Sequence, residues 1–203
     1  MKRTSSAIAA SALVFGLVIG ISGAARAKPK APQGIPLASL AGNWAGQGHS
    51  TFSLCFTSGF ASETDCTSAV DIAFYTEADI IQGTGDKSGN GCFTETITNS
   101  PEFPNPATPA SAFTQIVTTK STSYNSATGI GESDFKVYNA GSGTLCNGSV
   151  LVNTADAPVV GSGTLTGVAS QGGNRIDTIT DTFVASPISD VDDSVGTGFV
   201  LKQ

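Results

Sequence analysis

The clearest pattern in the chain is an alternation of apolar or small residues with polar ones. From Trp44 to Phe56 the even positions are Trp44, Gly46, Gly48, Ser50, Phe52, Leu54 and Phe56, and the odd ones are Ala45, Gln47, His49, Thr51, Ser53 and Cys55. A period of two puts one face of a strand in a core and the other toward water. The glycines predict a bend or bulge in this strand, or a break near His49. Further strands are predicted at Ala69–Tyr75, Ile80–Gly85, Gly91–Thr98, Ala112–Tyr124, Gly129–Tyr138, Thr144–Asn153, Gly161–Ser170, Arg175–Ala185 and Thr197–Lys202. Turn sequences separate them: GDKSGNG at 85–91, NSATG at 125–129, NAGSG at 139–143 and QGGN at 171–174. Asp79–Gln82 reads as a short helical turn. Two long loops are expected, 99–111 with four prolines and Ser186–Ser194 with three aspartates.

About ten strands joined mainly by hairpins, with nothing that reads as a crossover helix, predict an all-β antiparallel fold. An up-and-down β-barrel of about 8–10 strands suits the sequential connections and the glycine-bent first strand. A two-sheet β-sandwich is the alternative.

Residues ahead of this pattern belong to a different kind of segment. Lys2 and Arg3 precede an apolar run from Ala7 to Ile21, followed by Ala25, Arg26 and Ala27. That order reads as a secretory signal peptide, 1–27, cut after Ala27. The run is shorter than the ~20 residues of a membrane span, and no second stretch of that length follows. Residues 28–39, with three prolines, read as an extended lead-in to a single domain over 40–203. The expected location is periplasmic or secreted.

Export bears on the cysteines. Cys55, Cys66, Cys92 and Cys146 are an even set in an oxidising compartment, which predicts two disulfides. Of the three pairings, Cys55–Cys66 with Cys92–Cys146 is preferred. No Cys-x-x-Cys occurs, and with one histidine, His49, no metal cluster is expected.

Charge narrows the partners. Cleavage leaves seven basic against sixteen acidic residues, a formal −9. Nucleic acid and anionic lipid surfaces, both held by clustered Lys and Arg, are therefore not expected partners.

Leu40-Ala41-Gly42-Asn43-Trp44 resembles the opening strand of the calycin group, the lipocalins and avidins, in which Gly-x-Trp starts the first barrel strand. The resemblance implies an up-and-down barrel with an internal cavity for a small molecule and Trp44 at its base. Lipocalins also place an Arg from a late strand near that Trp. Arg175 stands on a late strand here, with Asp177 and Asp181 as alternative surface partners.

Candidate chemistry is sparse. His49 lies on the polar face of its strand and lacks a nucleophile-elbow sequence. Glu95 shares a strand face with Phe93 and Ile97, so it either points into a cavity as a polar anchor, with Arg175 as partner, or lies outward on an edge strand. Glu132 and Asp134 share a face with Lys136, which reads as solvated rather than as a glycosidase pair. Asp190, Asp192 and Asp193 depart from the EF-hand spacing and read as a solvated loop.

Two readings follow, neither requiring a cofactor or enzymatic chemistry. In the first, the domain binds a small apolar ligand inside the barrel, with Trp44, Phe52, Leu54, Phe93 and Ile97 lining or capping the site and Glu95 and Arg175 as polar anchors. In the second, a filled core supports a structural or interaction domain acting through loops 99–111 and 186–194. A cavity of ~300–1,000 Å³ facing Glu95 or Arg175 is what the first requires.

Overall fold

The computed structural model describes residues 34–103, 111–170 and 172–203. The signal peptide and the first part of the lead-in lie outside the described residues. The compact unit runs from Gln33 to Gln203.

Among the described residues ten strands form in chain order: β1 Gly42–Phe56, β2 Asp71–Gly85, β3 Gly91–Phe103, β4 Ser111–Asn125, β5 Ile130–Asn139, β6 Thr144–Asn147, β7 Val150–Asn153, β8 Val159–Ser170, β9 Arg175–Ala185 and β10 Val191–Lys202. Eight of them close a barrel in the order β1-β10-β9-β8-β5-β4-β3-β2, and β6–β7 is a separate hairpin. Every ladder is antiparallel. The barrel expectation is met and the sandwich is set aside.

Several local expectations are corrected. Asp79–Gln82 is not a helical turn. It lies within β2, which is continuous from Asp71 to Gly85 and pairs with β1 along its whole length. Inward positions alternate through Ala73, Tyr75, Glu77, Asp79 and Ile81, and two acids in that series hide the strand from a hydrophobicity pattern. β1 does not break near His49. β3 runs on through Pro101, with a register shift between Phe74 and Tyr75 of its partner. β10 begins at Val191, inside the expected second loop. Thr144–Asn153 is a hairpin that turns at Gly148, whose φ of 60° suits glycine.

One end of the barrel carries the short turns and a plug. The lead-in is not simply extended, because Leu37–Leu40 forms a 3-10 turn whose Leu40 packs with Trp44, Ala169 and Val200. Trp44 is 3 % exposed, and its indole Nε1 donates to Leu40 O at 3.0 Å. Tyr124 Oη donates to Ile35 O at 2.9 Å, and Lys202 Nζ to Ser39 O at 2.7 Å.

The opposite end carries the long connections over a cluster of Phe52, Leu54, Phe56, Ala73 and Tyr75. The Cys55–Cys66 disulfide holds the 57–70 loop there, and backbone bonds from Cys55 N to Asp190 O and from Cys66 N to Ser189 O join it to the 186–190 loop. The second disulfide, Cys92–Cys146, ties the β6–β7 hairpin to the outside of the barrel beside β3 and β4. Ile116 points outward from β4 yet is 2 % exposed under this cover. Both disulfides match the preferred pairing.

The ladder between β9 and β10 is short. It runs only from Thr197↔Ile179 to Leu201↔Arg175. Beyond it, toward the long-loop end, β10 pairs with β1 and β9 with β8, so the two strands splay apart.

Candidate functional site

Barrel closure turns one face of every strand inward, and this chain does not fill the space. On β1, β8 and β10 the inward positions include Gly46, Gly48, Gly161, Gly163, Gly196 and Gly198, which contribute backbone but no side chain. A cavity of about 490 Å³ results. A second chamber of about 180 Å³ lies toward the Trp44 plug. Both are bordered by Ile81, Glu95, Val117, Leu165 and Thr178, so they meet at mid-barrel. The larger chamber also borders Ile179, Thr180, Gly196 and Thr197, where β9 and β10 separate.

The walls differ in chemistry. Strands β1 to β4 supply a polar wall through their registers: Ser50 faces Glu77, Gly48 faces Asp79, Ile81 faces Glu95, and Glu95 faces Gln115. The Ser50 hydroxyl donates to Glu77 Oε1. The Gln115 amide donates to Glu95 Oε2 at 2.8 Å. Asp79 Oδ1 is buried and accepts no hydrogen bond from the described residues. Across the space, Val117, Phe135 and Val137 form an apolar cluster with Val160, Leu165 and Phe183.

Burial dominates the acid–base behaviour of the polar wall, because a carboxylate loses water there and, among the described residues, no cation borders the chamber to offset the loss. Glu77 is pushed up to about 8 by burial, then by the charges of Asp79 and Glu95, against the opposing Ser50 bond. Asp79 rises to about 6 by burial, opposed by the charge of His49. Glu95 rises to about 7 by burial, opposed by the Gln115 bond. Glu95 is enclosed by protein yet keeps accessible surface, and that surface opens on the two chambers. At the rim, Glu63 stands beside Asp190, and partial burial together with Asp190 raises its carboxyl.

Of the residues singled out in the sequence, Phe52, Leu54 and Ile97 line the larger chamber, Trp44 and Phe93 the smaller, and Glu95 both. Arg175 borders neither chamber. Its guanidinium forms a bidentate pair with Asp177 and lies 4.5 Å from the Phe199 ring, so it is not the internal partner of Glu95. The cation over Trp44 is Lys202, with Nζ 5.9 Å from the ring. His49, Glu132, Asp134, Asp192 and Asp193 are exposed, while Asp190 sits at the rim. Cys55, Cys66 and Asp192 lie within metal-ligating distance of one another, but the disulfide withdraws both thiolates. Sequence reasoning reads Ser50 with Gly46 and Gly48 only as a gap leaving room for ligand, and it misses Glu77, Asp79 and Gln115 as site residues. The available signal was that Glu77 and Asp79 continue the Ala73–Tyr75 alternation onto the same face.

Comparison of the chain with protein-family models, with curated proteins and with solved structures finds no match. Among the described residues no helix is long and apolar enough to cross a membrane.

Proposed function

We propose that the chain is an extracytoplasmic, non-enzymatic binding protein that holds a small molecule with an apolar body inside its barrel. The observation carrying this reading is the interior space: about 490 Å³ in one chamber, joined to a second. Ligand sites commonly occupy ~300–1,000 Å³, and a barrel that evolves only for stability fills its interior with side chains. The glycines supply the room, and the apolar cluster around Phe135 and Val137 supplies a surface whose burial favours a hydrocarbon body by roughly 25 cal/mol per Å². The opening strand's resemblance to lipocalins and avidins points the same way. Two disulfides and the signal-like N-terminus support the compartment.

The reading is tested by native mass spectrometry of the protein purified without detergent from its own host. A stoichiometric adduct of a few hundred daltons that leaves on denaturation is the expected result. Repeated recovery of the bare chain mass, together with failure of small apolar probes to bind, overturns it and returns the barrel to a structural role.

A further inference from the structure

The charge inside the barrel is one-sided. The larger chamber is bordered by five acids: Glu63, Glu77, Asp79, Glu95 and Asp190. Among the described residues, neither chamber is bordered by a lysine, an arginine or a histidine. The basic residues that are described lie outside the chambers: Lys87, Lys120 and Lys136 are exposed, Arg175 pairs with Asp177, Lys202 caps Ser39 O, and His49, whose charge acts on Asp79, stands on the exposed face of β1.

Enclosed carboxyl groups cost free energy unless something compensates them. Neutral donors do part of this, through Ser50 on Glu77 and Gln115 on Glu95. Asp79 Oδ1 is buried without such a donor. Next to it the chain leaves space rather than a partner, since Gly48 faces Asp79 on one side and Gly198 on the other. The room beside the acids and the uncompensated oxygen coincide. The opposite wall is hydrocarbon and aromatic, which suits no hydrated inorganic ion but does suit the body of an organic one.

We propose that the ligand is an organic cation, a protonated amine on an apolar body, with its ammonium group at Asp79, Glu77 and Glu95 and its body against Phe135, Val137 and Leu165. This rests on the reading of the cavity as a ligand site and adds the sign of the ligand's charge. The amine supplies up to three donors, matching the acceptors that the chain leaves around Asp79. The splayed β9–β10 segment borders the same chamber and gives such a molecule a route that does not cross the plugged end.

Three probes that share one chain and differ in the head group test this: 1-octylamine, 1-octanol and octanoate, titrated calorimetrically into the full-length mature protein at pH 8. The expected result is octylammonium binding about tenfold or more tighter than octanol, with octanoate weakest. Asp79→Asn, and independently Glu95→Gln, each reduce the amine affinity and bring the amine-to-octanol ratio toward one. Both are near-isosteric, and retained near-native circular dichroism shows which of them folds. If octanol binds as well as octylammonium, or octanoate binds better, the cation assignment is wrong while the cavity remains a ligand site. If none of the three binds, the ligand-site reading fails with it.

Discussion

Glu95 on β3 and Gln115 on β4 are register partners, and the Gln115 side-chain amide donates to Glu95 Oε2 at 2.8 Å inside the barrel. That bond stabilises the ionised form of a carboxyl that burial otherwise pushes upward. In Gln115→Leu the opposing contribution disappears, so the Glu95 carboxyl titrates above its starting value of about 7. Carboxyl carbon chemical shifts followed by NMR from pH 4 to 10 would show the displacement. An unmoved or lowered Glu95 titration would falsify the assignment of Gln115 as its internal donor.

Stability should depend on pH in a direction unusual for carboxylates. Glu77, Asp79 and Glu95 sit at about 8, 6 and 7 in the folded chain, against ordinary unfolded values near ~4. Between about pH 4 and 8 the folded state therefore binds more protons than the unfolded one, and stability falls as pH rises. Asp65, Asp86 and Asp177 are shifted the other way by hydrogen bonds and, for Asp177, by Arg175, so they weaken the fold only at the acid end. Calorimetric Tm is expected to peak near pH 4–5 and to drop by roughly 5 °C or more by pH 8. A Tm that rises across this interval contradicts the interior acid wall. In Asp79→Asn the slope becomes shallower.

Cys92–Cys146 joins the β6–β7 hairpin to the outside of β3, across 54 residues of chain. Replacing both cysteines with serine is expected to cost ~2–4 kcal/mol. Hydrogen exchange should then accelerate in 144–153 and around Ile116, with β1 and β2 retaining most of their protection. Equal acceleration over every strand would mean that the bridge supports the whole barrel rather than its cover.

Gly163 lies beside the register shift at Thr164/Leu165, and a Cβ there would stand 1.9 Å from Thr182 O. Backbone cannot yield as a side-chain tip can. Gly163→Ala is expected to destabilise by about 2 kcal/mol or more. At Gly167 the nearest atom is Ile176 Cγ2, 3.3 Å away on a side chain, so Gly167→Ala costs less. Urea midpoints of the two variants give the comparison, and the reverse ranking counts against close strand approach at Gly163.

Much of the barrel was legible because its strands alternate, and β1 and β9 were placed within two residues of their observed bounds. What escaped followed from one assumption, that inward means apolar. Glu77 and Asp79 break the apolar series of β2, so the strand was divided and its acids were not weighed as site residues. Glu95 was noticed because Phe93 and Ile97 flank it, whereas Glu77 has Tyr75 on one side and another acid on the other. For Arg175 the sequence leaves two partners open, Glu95 inside or Asp177 and Asp181 at the surface, and the pair that forms is with Asp177, two residues on and on the same face. Small residues at Gly46, Gly48 and Ser50 mark room on the inner face of β1, but the extent of the space does not follow from one strand. Gly48, Gly161 and Gly198 become a void only when closure brings them to the same interior.

Trp44 is the chain's single tryptophan, and it borders the smaller chamber while its indole is fixed by Leu40 O and overlaid by Lys202. The molecule thus carries one fluorophore, set against its own interior. Emission excited at the red edge of the indole band comes from Trp44 alone, so a molecule that reaches the smaller chamber can be followed in unlabelled protein.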